Sequence, residues 1–143
     1  MNAYLQLKEK QQKEVDNFPM FFAFSDDQFK RGMEKIGLTP DDVEKVCSIG
    51  LGGFMKKTDV PAFNAMMDNR ENELKAAIAA DKDGTGFIYD MVFYELENHE
   101  YCITLDFSDT INALGLTREE IKNDPRMVAA FNNAARVIRS KEY

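Results

Sequence analysis

The chain is short of the residues on which most enzyme and metal sites are built. In 143 residues it has one histidine, His99, and two cysteines, Cys47 and Cys102. A lone imidazole leaves no partner for an HExxH zinc pair, and any serine or cysteine nucleophile would need that same base. There is no GxSxG elbow, and the phosphate-loop spacings GxxxxGK[ST] and GxGxxG are also missing. The cysteines lie far apart without CxxC spacing, which fits two reduced thiols in a cytosolic protein; the residues alone leave a Cys47–Cys102 disulfide open. No stretch reaches the roughly 18 uncharged apolar residues that a spanning helix needs. The opening MNAYLQLKEKQQKE has spaced apolar residues and mixed charge rather than the apolar centre of a signal peptide. We expect a cytoplasmic protein with no membrane attachment and no cofactor.

With 44% hydrophobic and 11% aromatic residues the chain is well outside the disordered regime. A chain of this length buries roughly 70% of its unfolded surface, and we expect one domain over residues 1–143. The net charge of −7 is concentrated. Between Asp81 and Asp109 stand Asp81, Asp83, Asp90, Glu95, Glu97, Glu100, Asp106 and Asp109 against Lys82 alone, and the rest of the chain is balanced. That window disfavours nucleic acid, whose phosphates need clustered Lys and Arg, and suits a cation or a partner protein with a basic surface.

Ala3 to Phe18 reads as a polar surface helix with Leu7, Val15 and Phe18 as apolar anchors, ending before Pro19. Periodicity does not decide whether MFFAF, Met20 to Phe24, is a strand or a buried approach to the next helix. Ser25 with Gln28 suggests a capping box for a helix that buries Phe29, Met33 and Ile36 and stops at Gly37. Two segments share one grammar, IGLTPDDV at 36–43 and LGLTREEI at 114–121: a glycine helix end, a leucine corner and a threonine cap on a following helix. KVCSI and FMKKT around Gly50, Leu51, Gly52 and Gly53 read as a hairpin with a loop longer than two residues. A helix capped by Thr58 or Asp59 then carries Phe63, Met66, Met67, Arg70, Leu74 and Ile78 at spacings of three and four. FIYDMVFYELEN, Phe87 to Asn98, is apolar nearly all round and is expected to be the central buried helix. CITLDF, 102–107, is a candidate third strand. Helices opened by Ser108 or Asp109, Thr117 and Asp124 follow, the last docking through Met127, Val128, Phe131, Ala134, Ala135 and Ile138.

Two constellations have the residue types for chemistry. DKDGTGFI, Asp81 to Ile88, matches the start of a calcium-binding EF-hand loop, with oxygens from Asp81, Asp83, Thr85 and the Phe87 carbonyl and the sharp turn at Gly86. Position twelve is Val92, where the bidentate glutamate belongs, so the match is degenerate. Glu95 and His99, four apart, share a helix face and can orient one another or line a site. Asp90 and Glu95 are separated by about 140° around a helix and do not share a face.

NFPMFFAFSDDQF (17–29), SIGLGGFMKKTD (48–59) and GFIYDMVFYELENHEYCITLDFSDTINALGLT (86–117) together resemble an uncharacterised family of small proteins from anaerobic Firmicutes and their phages or mobile elements. The resemblance implies a bacterial or phage intracellular setting and brings no activity. The expected fold is α+β: a mainly helical single domain of five to seven helices around a small antiparallel hairpin or three-stranded sheet. The expected function is a non-enzymatic interaction protein using the acidic surface 81–109, with Asp90, Glu95, Glu97, His99 and Glu100 as candidate binding residues and oligomeric state left open. The alternatives are calcium binding at Asp81, Asp83, Thr85 and Phe87, and an enzyme site around Asp90, Glu95 and His99.

Overall fold

The structure, a computed structural model, describes residues 1–141. It is mainly helical with a small three-stranded antiparallel sheet. In order along the chain run α1 (Ala3–Asp16), β1 (Met20–Phe22), α2 (Asp26–Lys35), β2 (Val46–Gly50), β3 (Gly53–Lys56), α3 (Val60–Ala80), α4 (Phe87–Asn98), α5 (Tyr101–Thr104), α6 (Ser108–Ala113), α7 (Arg118–Lys122) and α8 (Pro125–Ser140). Eight α-helices among the described residues exceed the expected five to seven, because the region after α4 is cut into short pieces. The chain gathers into two compact units, one of Met1–Gln11 with the chain from Asn72 onward, the other of Gln12–Glu71.

The larger unit is built on α4. Ile88, Met91, Val92 and Leu96 are buried, its remaining apolar side chains are half-buried, and only Glu97 and Asn98 at its exit are exposed. Its main neighbour is α8, which contributes Met127, Ala130, Phe131, Ala134, Ala135 and Ile138 to the same core. The small alanines of α8 let the larger α4 side chains approach closely. Burying each large apolar side chain here contributes roughly 1.5–3 kcal/mol. Val128, expected in this docking face, is partly exposed instead.

Cys102–Phe107 does not form the third strand. Ile103 and Thr104 have strand-favouring side chains, but Glu100 (φ 56°) and Leu105 (φ 53°) adopt left-handed conformations that bracket one helical turn. Tyr101 anchors that turn: its ring stacks on Phe107 at 5.0 Å and its hydroxyl accepts from Arg139 at 2.8 Å.

In the smaller unit the third strand is β1, and the sheet order is β1-β3-β2. One sheet face carries Phe21, Phe54 and Val46 against Met33, Ile36 and Phe29 of α2 and its end. Gly32 admits the Phe21 ring, since a Cβ there would lie 2.0 Å from a ring carbon. Met20 and Met55 are buried on the opposite face. The hairpin loop is shorter than expected. Gly50 pairs with Gly53, leaving the two residues Leu51 (φ 52°) and Gly52 (φ 80°) in the turn. Positive φ at both central positions is the hairpin-favoured mirror-image turn. The extra residue is absorbed as an irregularity between Ser48 and Gly50.

The repeated grammar diverges after its first half. Both α2 and α6 end in the same paired closure: Leu38 N–H donates to Met33 and Gly37 N–H to Glu34; Leu116 N–H donates to Ile111 and Gly115 N–H to Asn112. Thr117 then opens α7 through a full capping box with Glu120. Thr39 opens no α-helix: Asp42 accepts from the Thr39 N–H (2.9 Å), as Glu120 does at Thr117, but also from its hydroxyl (3.0 Å), the Asp42 N–H donates to the Thr39 carbonyl instead, and only a 3-10 turn follows. At α2 the box is half formed: Ser25 accepts from Gln28 N–H, but the Gln28 carboxamide accepts from Phe24 N–H.

Two substitutions test these backbone assignments by urea unfolding. Gly84 has φ 76° and a Cβ there would sit 2.2 Å from the Arg126 carbonyl oxygen, so Gly84→Ala is expected to destabilise by about 2 kcal/mol or more. Leu51→Asn places the favoured Asn-Gly pair in the turn and is expected to stabilise by about 0.5–1 kcal/mol. A neutral Gly84→Ala would show the 81–86 loop to be built otherwise.

Candidate functional site

The sequence-expected site residues divide into groups that the fold uses and groups that it leaves at the surface. Glu95 is one of the few buried charged residues, at 3% exposure. Its Oε1 accepts from the Tyr4 hydroxyl at 3.0 Å and faces Lys8 Nζ at 3.4 Å, while Oε2 lies 3.3 Å from His99 Nε2. The helix spacing that pairs Glu95 with His99 is therefore realised. The other partners, Tyr4 and Lys8, come from α1, one helical turn apart, and Lys8 also lies over the Tyr4 and Tyr94 rings. The backbone carbonyl of Glu95 accepts from the buried Thr110 hydroxyl at 3.2 Å. Burial first, then the Glu95 charge and the hydrogen bond to it, raise the Tyr4 phenol well above its ordinary value.

Asp90 does separate work on the same helix pair. Its carboxylate accepts from Ala3 N–H at 2.9 Å and its carbonyl from Asn2 Nδ2 at 2.9 Å, and Asn2 itself caps α1 through Leu5 N–H. A carboxylate on the open amides of a helix start is favourably placed. Five clefts, of about 610, 380, 290, 280 and 200 Å³, are lined by side chains other than Asp90, Glu95 and His99. These three groups make their contacts within the protein.

The loop at 81–88 is likewise turned inward. Asp81 accepts from Gly84 N–H (3.0 Å), Gly86 N–H (3.1 Å) and Ile88 N–H (2.9 Å). Burial works against its charge, but the amides of Ile88, Gly86, Gly84 and Asp83 outweigh it and hold the carboxyl below its usual range. Arg126 closes the loop, donating to the carbonyls of Ile78 and Asp81 at 2.9 Å each. The left-handed residue is Gly84 rather than Gly86. Among the described residues no group of three or more His, Cys, Asp or Glu is placed to hold a metal ion. The calcium alternative at Asp81, Asp83, Thr85 and Phe87 is not supported, and Asp81 acts on backbone amides.

Of the remaining acids in the window, Asp106 caps Ser108, and Glu97 pairs with Lys141 at 3.2 Å. Asp83, Glu97, Glu100, Asp106 and Asp109 are exposed, while Asp81 and Asp90 are partly buried and Glu95 is buried.

The outer edge of β1 carries a cleft that no motif in the sequence marks. A cleft of about 610 Å³ is lined by Phe18, Met20, Phe21 and Phe22, by Gln12, Val15 and Asp16 of α1, and by Gln28, Arg31, Gly32 and Lys35 of α2. Among the described lining residues none comes from β2 or β3, so the cleft lies on the side of β1 away from β3. Ala23 N–H donates to Gly52 on the β3 side, and antiparallel alternation then turns the N–H and C=O of Phe22 to the free edge. Phe22, 56% exposed, adds apolar surface to its lining. The signal in the sequence was the strongly aromatic MFFAF run, which offers more apolar side chains than one buried face can take.

A family model described as a family of unknown function matches residues 3–137. The chain belongs to that family, DUF7659. No curated protein and no solved structure matches it. Membership carries no activity, so the geometry above is the ground for a functional reading.

Two stability measurements check these roles. The folded protein holds the Tyr4 proton harder than the unfolded chain, so stability is full below about pH 10 and falls as pH rises through the raised value. Tyr4→Phe is expected to remove that alkaline loss, read as urea midpoints from pH 8 to 11; an unchanged loss contradicts the assignment. Asp81→Ala is expected to cost about 1–2 kcal/mol, with millimolar calcium leaving the melting temperature of the unsubstituted protein unchanged. A calcium-dependent rise would restore the loop as an ion site.

Proposed function

We propose that the protein is a non-enzymatic interaction protein that takes an extended segment of a partner polypeptide onto the free edge of β1. The observation that carries this reading is the cleft along that edge. It brings strand backbone groups with no partner strand together with an exposed phenylalanine, Phe22, and two cations, Arg31 and Lys35, one turn apart on α2. Edge strands are ordinarily short, charged or covered, because an open edge templates pairing with another chain. Here the edge is short, but it is flanked by aromatic surface. Strand addition takes affinity from main-chain hydrogen bonds and specificity from pockets that accept alternate side chains.

The partner chemistry follows from the lining: apolar side chains at alternate positions for Phe18 and Phe22, and acidic ones for Arg31 and Lys35. A basic partner, expected from the charge pattern, would meet Asp83, Glu97, Glu100, Asp106 and Asp109, with Glu97 paired to Lys141 and Asp106 3.9 Å from Arg118. The β1 edge is preferred because it joins strand backbone to a cleft with apolar and cationic lining.

Selection from a displayed library of ten-residue random peptides tests the reading. Expected enrichment is for alternating apolar and acidic residues, with binding reduced at least tenfold by Arg31→Glu combined with Lys35→Glu, and with amide shifts confined to residues 18–24 and 28–35. Enrichment of basic peptides, or shifts confined to 97–109, would place recognition on the acidic exit of α4.

A further inference from the structure

A second cleft, in the larger unit and independent of the β1 edge, has a different chemistry. It holds about 290 Å³ between α6, α7 and α8 and is walled by Phe107, Ile111, Ile121, Val128 and Phe131. Its rim carries Arg118 and Lys122, four residues apart on α7, with Asn132 opposite. Ile121 on the same short helix turns into the cleft, so α7 supplies one apolar wall and two cations. The floor is rigid: Phe107 stacks on Tyr101 and meets Phe131 edge to face at 5.3 Å. Val128, which the helical pattern assigns to the core, is instead 37% exposed and borders this cleft.

We infer that this cleft binds a medium-chain aliphatic carboxylate, its chain lying against Phe107, Ile121, Val128 and Phe131 and its head group held by Arg118 and Lys122. Size favours a small ligand. The volume, about 290 Å³, lies just below the roughly 300–1,000 Å³ of drug-sized ligand sites and suits a smaller molecule, whereas a stable protein interface needs about 800 Å² from each partner. Charge sets the head group: both rim side chains on α7 are cationic, in a chain whose net charge is −7. Arg118 donates to Ser108 Oγ at 3.1 Å and lies 3.9 Å from Asp106, which steadies the guanidinium and leaves most of its donors for a carboxylate.

Amide and methyl NMR titration of the full chain with decanoate is the test, with decyltrimethylammonium (same tail, opposite head) and acetate (same head, no tail) as the other arms. Decanoate is expected to give saturable shifts at 107, 111, 118, 121, 122, 128 and 131, at least tenfold tighter than either control. Arg118→Glu combined with Lys122→Glu should abolish the decanoate shifts, while Arg136→Glu, elsewhere on the surface, should leave them unchanged. Since Arg118 and Lys122 are exposed, these variants are expected to keep the fold, checked by an unchanged melting temperature. Equal affinity for decyltrimethylammonium, shifts scattered over other apolar surface, or no saturation would overturn the inference. Shifts at 121 and 128 that follow protein concentration alone would also overturn it, because they would assign the cleft to a second copy of the chain.

Discussion

The larger unit depends on one constraint: α4 is surrounded by protein, so any charge it carries must be met by the fold. Glu95 is that charge. A carboxylate withdrawn from water costs several kcal/mol unless it is paired and hydrogen-bonded. Here the Tyr4 hydroxyl, the Lys8 ammonium and the His99 imidazole surround its two oxygens, and Asp90 repeats the principle five residues earlier on the α1 amides. The same contacts that satisfy the acids attach α1 to α4. This polar attachment explains why α1, with few apolar anchors of its own, holds a fixed place on the unit. Tyr4 and Gln11, rather than the expected Leu7, Val15 and Phe18, are its buried residues.

The parts of the fold legible in the sequence are those decided by short-range pattern. Phe87–Asn98 was readable because apolar residues recur on every side of it, and nothing but burial accommodates that. The α2 stop at Gly37 and the α7 start at Thr117 were readable because their hydrogen bonds run between residues a few positions apart. The misreadings have a common cause, a longer-range or competing contact. Ile103 and Thr104 favour a strand, yet Tyr101 is pinned by the nearby Phe107 ring and by Arg139, far along the chain, and among the described residues no strand lies beside them. Thr39 has the residues for a helix start, but Asp42 takes its hydroxyl as well as its amide.

The candidate site shows the same limit more sharply. Charge counting finds eight acids between 81 and 109 but not the backbone amides that engage them. Asp81 is occupied by three amides, Asp90 by one, Asp106 by Ser108, and Glu95 by side chains ninety positions away. The pairing of Glu95 with His99 was visible from their spacing; its closure by Tyr4 and Lys8 was not. The free edge of β1 was hidden for a different reason. MFFAF reads as a strand or a buried run, and which of its edges lacks a neighbour is a property of sheet order, not of the residues themselves.

α4 and α8 together are expected to be the last structure of the larger unit to open, with the Glu95 cluster inside that cooperative core. Native-state hydrogen exchange at neutral pH measures this directly. Amides of 91–96 and 130–138 are expected to exchange most slowly, with a shared opening free energy equal to that of global unfolding. If the α4 amides instead exchange through a low-energy local opening while α8 stays protected, α4 is not the element on which the unit is built.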